Sequence, residues 1–177
     1  IFQDTETPAE VYFAPGGVMP GKRASNVHAD YMVNQPVAKS DVSSWKSKDG
    51  KYTIEGIVTY PHGYQKGKKY PLILNIHGGP AGVFQETYTG ASSPYPIQAF
   101  SSKGYVILRA NPRGSSGYGS EFRRANHRDW GFNDYDDIMT GVDKLIADGV
   151  VHPDSLVVTG WSYGGYMTSM VITKTNR

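Results

Sequence analysis

Cysteine is absent from these 177 residues, which excludes disulfides and thiolate metal sites and leaves the redox compartment unread. No apolar run approaches the length of a membrane span, and no signal peptide is visible at Ile1. Charge of one sign is never concentrated. The net charge is +2 and the 18 basic residues are scattered, so the electrostatic footprint of a nucleic-acid or membrane-surface binder is missing. Lys66, Lys68 and Lys69 lie beside Gly63 and Gly67 and read as a solvated loop. No carboxylate–histidine cluster has ligand spacing, and the glycine loops lack the lysine of a phosphate cradle. The expectation is therefore no metal, no organic cofactor, no nucleic acid and no membrane. Cytoplasmic and periplasmic or secreted locations are both compatible with this composition, and an oligomer is allowed.

What is present suits one domain with a real core. The first forty residues differ from the rest. Val11–Ala14 reads as a short strand before the turn Pro15-Gly16-Gly17, and 21–34 shows no helical period, as in an edge element plus linker. From Val42 the signals sharpen. Val42–Ser47 and Tyr52–Tyr60 are strand-like runs around Lys48-Asp49-Gly50-Lys51, a hairpin cue. Pro71–His77 is almost continuously apolar, as in a strand buried on both faces of a mostly parallel sheet. Pro96–Ser102 reads as a short helix, Tyr105–Leu108 as a buried strand, and Asp134–Asp148 as the clearest helix. Its Ile138, Val142, Leu145 and Ile146 share one face, and Gly149 stands where a terminating glycine belongs. Ser155–Thr159 is the last strand and Tyr166–Thr173 the last helix. The alternation predicts an α/β fold.

Three motifs fall at the ends of strands, where open parallel sheets meet ligands. Gly160-Trp161-Ser162-Tyr163-Gly164 follows a β-branched strand and precedes a helix, the context of a nucleophile elbow. Gly160 and Gly164 keep side chains away where strand and helix backbones crowd. His77-Gly78-Gly79-Pro80 is either a plain loop or an oxyanion-hole donor whose backbone N–H groups face a site. Asn111-Pro112-Arg113-Gly114-Ser115-Ser116-Gly117-Tyr118-Gly119 is a tight loop. Arg113 there either orients the loop, meets a substrate carboxylate, or pairs with an acidic residue such as Asp129. Trp161, Tyr163, Tyr118 and Phe84 are compatible with an apolar pocket or with plain packing.

Occurring in this order, the three motifs resemble the peptidase domain of the prolyl oligopeptidase family, nearest its dipeptidyl-peptidase and acylaminoacyl-peptidase branch. Trp130-Gly131 before Asp134, Asp136 and Asp137 is also similar to that family. So is the lead-in Trp45–Gly50 with Ile54-Glu55-Gly56. The resemblance implies an α/β-hydrolase fold over 41–177, incomplete at its C-terminal end, with 1–40 as linker and last strands of a β-propeller. It implies a serine peptidase acting on short peptides through an acyl-enzyme on Ser162. Tyr163 N–H would be one oxyanion donor. Related members donate a tyrosine hydroxyl from the His77 region; with histidine there, Gly79 N–H is the expected second donor. Trp161, Tyr118 and Arg113 are the candidate pocket residues.

The departure from the family concerns the triad, which in this fold runs Ser, then Asp or Glu, then His. All five histidines (28, 62, 77, 127 and 152) precede Ser162. His77 belongs to the oxyanion loop and is not expected to be the base. The reading is thus an N-terminal part of a hydrolase domain, inactive alone and completed by a C-terminal segment, with a cut near Arg177 or a second chain as its origin. Two alternatives stand beside it: an esterase or lipase of the same fold, and a catalytically silent fragment or module.

Overall fold

The structure is a computed structural model, and it describes residues 1–18, 21–30, 36–91 and 93–177. Five strands form the central sheet: β3 (Ser40–Lys46), β4 (Thr53–Thr59), β5 (Tyr70–Ile76), β6 (Val106–Asn111) and β7 (Val151–Gly160). Their spatial order is β3-β4-β6-β5-β7. The pairs β3/β4 and β4/β6 are antiparallel, whereas β6/β5 and β5/β7 are parallel. The parallel half thus lies where the strand-end motifs cluster.

The hairpin cue at 48–51 acts through side chains. Asp49 accepts from the Ser47 hydroxyl at 2.7 Å and from Lys51 N–H at 3.2 Å, and Ser47 accepts from Tyr52 N–H at 2.9 Å. These bonds close the turn and set the register that pairs Lys46 with Thr53.

The apolar runs of β5 and β6 follow from cover on both faces. On one side lie α3 (Asn133–Ala147) and α4 (Tyr163–Lys174). Ile138, Val142, Leu145, Met167 and Val171 pack there against Ile54, Val58, Leu72, Leu74, Ile76, Val106 and Leu108. Trp45 reaches across the layer, donating Nε1–H to the Asp137 carbonyl at 2.8 Å. The other side is thinner. Ile73 and Ile107 meet Ile97 of α1 (Ile97–Ser102), with Tyr95, Phe100 and Tyr105 alongside. Gly149 ends α3 with φ 73°, and Val150 N–H bonds back to the Leu145 carbonyl at 3.1 Å.

Two features depart from the expectations. Strand β7 runs ten residues, not the five of Ser155–Thr159, because 151 pairs with Tyr70 ahead of a register shift that absorbs Pro153. A short helix α2 (Gly119–Arg124) has no counterpart in the sequence reading. It is six residues long and buries only Phe122, too little for a periodic signal.

The N-terminal segment carries β1 (Tyr12–Phe13) antiparallel to β2 (Lys22–Arg23), and a bridge joins Phe2 to Glu10. Thr5 O accepts from both Thr89 N–H and Thr89 Oγ1–H, tying the segment to the 87–89 loop. The unperiodic stretch 21–34 lies partly outside the described residues.

Candidate active site

The elbow is built by close backbone approach. Ser162 leaves β7 at φ 59°, ψ −122°, a conformation that non-glycine residues rarely adopt, and α4 begins at the next residue. A Cβ at Gly160 would stand 2.5 Å from the carbonyl carbon of Gly164, and one at Gly164 would collide with the Ile76 carbonyl oxygen. Both positions of the Gly-x-Ser-x-Gly pattern are thereby explained by sterics. Strain at Ser162 is held by the helix behind it, where Gly165 and Tyr166 N–H groups both bond to the Ser162 carbonyl.

The loop after β5 comes directly against this turn. A Cβ on Gly78 would lie 3.3 Å from the Ser162 Cβ and 3.1 Å from the Trp161 carbonyl oxygen. Gly79 follows at φ 52°. Among the described residues, neither Gly79 N–H nor Tyr163 N–H has an acceptor, so both donors are uncommitted.

Side chains lock the surrounding loops together. His77 is buried, and its Nε2 lies 3.0 Å from Ser115 Oγ. Ser115 also donates to the Pro112 carbonyl at 2.7 Å, and His77 Nδ1 lies 3.2 Å from the Gly78 carbonyl oxygen, so both ring nitrogens are engaged. Burial lowers the His77 pKa, keeping the ring neutral and uncharged as a clamp. Asn111 joins the same two loops, accepting from Phe84 N–H at 2.8 Å and donating to the Phe84 carbonyl at 2.9 Å and to Tyr118 Oη at 3.1 Å. Ser116 donates to the Ala81 carbonyl at 2.6 Å.

Tyr163 is fixed from behind. Its hydroxyl donates to Asp134, whose other oxygen accepts Gly131 and Tyr135 N–H at 2.8 Å each. Burial raises both the Tyr163 hydroxyl and the Asp134 carboxyl, so the tyrosine keeps its proton. Residues 29 apart in sequence thus orient the peptide after the serine, a contact that no local pattern announces.

The remaining predicted site residues divide. Trp161 is 70% exposed beside the serine, its N–H donated to Tyr95 Oη at 3.0 Å. Tyr118 lines a groove with Phe84, Asn111 and Glu55. Arg113 is different: 4% exposed, it gives Nε–H to Asp137 at 2.8 Å and Nη1–H to Asp49 at 2.9 Å. Its guanidinium is taken up internally, and its partners are Asp137 and Asp49, not Asp129, which instead accepts from Asn133. The Asp137 contact holds the Arg113 charge firmly in place, and Arg113 in turn pulls the Asp49 carboxyl below its ordinary range. The pair fixes the 111–119 loop to α3 and to the β3–β4 hairpin; it does not present a cation to the groove.

Comparison with known proteins agrees with this arrangement. A Bacillus subtilis protein described as uncharacterized peptidase YuxL is 36% identical over 173 residues, which are 97% of this chain and 25% of that protein. Dipeptidyl-peptidase 5 of Aspergillus fumigatus is 35% identical over 133 residues, 75% of this chain and 18% of the relative. The acylaminoacyl peptidase of Pyrococcus horikoshii superposes with a TM-score of 0.83 at 27% identity, over 98% of this chain and 27% of that one. The chain thus spans about a quarter of the length of these relatives, or less. The fold is that of the α/β-hydrolases. Residues 91–177, which contain the Asn111–Gly119 loop and the elbow, match the prolyl oligopeptidase family, and the chain belongs to that family.

Proposed function

We propose that these residues belong to a serine peptidase that releases dipeptides or acylated amino acids from the N-termini of short peptides. The observation that carries the reading is Ser162 at φ 59° on a strand–turn–helix with Gly78 pressed against it. A strained non-glycine turn persists only where its surroundings over-determine it, and such strain clusters at reacting groups. The names of the relatives, dipeptidyl-peptidase and acylaminoacyl peptidase, support the substrate class.

In this mechanism Ser162 Oγ attacks the scissile carbonyl carbon and passes its proton to a base. The developing oxyanion accepts Tyr163 N–H and Gly79 N–H, each worth about 3–4 kcal/mol in the barrier. The amine then leaves with the proton, and water hydrolyses the acyl-enzyme ester. His77 is not the base, because both of its ring nitrogens are already engaged, Nε2 with Ser115 and Nδ1 with the Gly78 carbonyl. The base and the acid that orients it come from outside residues 1–177, in a C-terminal segment of the same hydrolase domain. Residues 41–177 are the N-terminal part of that domain, and 1–40 are the last strands of a β-propeller with its linker. Trp161 and Tyr118 border the substrate.

The test is intact mass of the full-length protein after exposure to a fluorophosphonate. One adduct on the peptide carrying Ser162, lost in Ser162→Ala together with about a millionfold of kcat, is expected. No adduct would sink the proposal. Parallel assays on a peptide and an acyl ester separate a peptidase from an esterase.

A further inference from the structure

A second polar constellation lies on the other face of the sheet, outside the chemistry of Ser162. Asn75 on β5 stands opposite Arg109 on β6. Residues in register on neighbouring strands share a face, and this face is the one that Ile73 and Ile107, two positions earlier, present to α1. Asn75 is fully buried, and among the described residues neither Oδ1 nor Nδ2 has a partner. Arg109 is 5% exposed; among the described residues its Nε–H has no acceptor, and its one side-chain hydrogen bond is a 3.5 Å contact from Nη2 to Thr59 Oγ1. Its cation also lies 5.8 Å from the Phe84 ring centroid. No carboxylate of the described residues pairs with it, and the residues left undescribed include no Asp or Glu. Burial lowers its pKa to about 10, which leaves it charged at neutral pH.

A buried cation with neither counter-charge nor full hydrogen bonding is among the costliest arrangements a protein holds. Arg113, on the next loop, shows the usual solution, with two carboxylates around it. Arg109 instead reaches a cavity of about 320 Å³, whose wall includes Gln3, Thr87, Thr89, Ser93 and Tyr95. That volume is at the lower end for small-molecule sites. Thr89 is already engaged with Thr5 and Gln98, and Arg109 is the one cationic side chain among the described lining residues. A guanidinium fork matches a carboxylate in shape and charge. We propose that this cavity is a carboxylate-binding site, with Arg109 as its cation. The site borders the elbow through Tyr95, whose hydroxyl accepts the N–H of Trp161, the residue before Ser162. The assignment is independent of the peptidase reading.

The carboxylate has two sources: a small solute, or an Asp or Glu of the full-length protein outside residues 1–177. Melting of the full-length protein in acetate, against chloride and the neutral isostere acetamide, distinguishes them. If a solute fills the site, acetate raises the midpoint saturably, by about 2–4 °C, and Arg109→Met abolishes the rise. If the protein supplies the group, acetate has no effect. Arg109→Met then lowers the midpoint by several degrees, a loss that shrinks as pH falls through the carboxylate range. Two results overturn the proposal: no acetate response with Arg109→Met equally or more stable, or a stability loss that ignores pH. Should Arg109→Met not fold, Arg109→Lys keeps the charge and removes the fork. An acetate affinity at least tenfold weaker, or the same pH-dependent loss, is expected, and a variant indistinguishable from wild type refutes the site.

Discussion

The described residues within 1–30 and those within 40–177 are held by different forces. In the second region, apolar side chains from β3 to α4 close a core between two layers, with Ile54, Leu72, Val106, Leu108 and Ile138 fully buried. In the first, the large apolar residues face water: Phe13 is 66% exposed and Val27 77%. What organises that segment is one carboxylate. Glu10 is buried and accepts from the Ser25 hydroxyl, from Arg23 Nη2 at 2.8 Å, and from Val27 and His28 N–H at 3.1 Å each. The difference teaches that a stretch with too few residues to enclose a core can still hold a defined path. It does so when one charge satisfies several backbone and side-chain donors at once.

The comparison can be broken from either side. The largest effect is expected in the core region at its own polar anchor. Arg113→Met strands Asp137 and Asp49 and should lower unfolding free energy by about 3–5 kcal/mol, read by urea denaturation. Ile138→Ala, in the face of α3 that meets the sheet, should cost about 3 kcal/mol with the elbow intact. Both losses are global.

Glu10→Gln should act locally. Amide exchange at residues 22–28 should accelerate, while protection in β5 and β6 stays as it was; equal loss in both would contradict the contrast. The pH dependence has a definite sign. The Ser25 hydrogen bond, with the two N–H groups and Arg23, holds the Glu10 carboxyl far below its ordinary 4.5, so its contribution is full above that value. It fades as pH falls below 4.5, and the N-terminal segment should loosen only in strong acid. The smallest effect belongs to the exposed pair Lys144–Asp148, one turn apart at the end of α3. Lys144→Ala should cost about 0.3–0.5 kcal/mol, and less at high salt.

Much of the second region is legible in sequence because its signals are local. The Asp49-Gly50 turn, the apolar runs of β5 and β6, and the 3.6-residue period of α3 each lie within one element. The elbow is legible for the same reason: strand, glycines and serine are contiguous. Its supports are not. Asp134 against Tyr163, Ser115 against His77 and Asn111 against Phe84 join residues 27 to 38 apart, and no short window contains both partners. The partner expected for Arg113 shows the limit well. Asp129, Asp137 and Asp49 are all acidic, and only the approach of α3 and the hairpin to the loop selects two of them. Strand β7 is underestimated because Pro153 reads as a breaker, whereas an edge strand tolerates proline where no ladder bond is needed.

The sequence by itself determines where this chain turns, which faces are apolar, and that Ser162 sits on a glycine-flanked turn, since these depend on backbone sterics and on side-chain periods of two and 3.6. Only the tertiary structure decides which charges meet. It gives Arg113 two carboxylates and Glu10 a ring of donors, and among the described residues it leaves Arg109 without a counter-ion. The physical reason is that Coulomb and hydrogen-bond energies depend on distance and burial. Both are set by how strands far apart in sequence come into register.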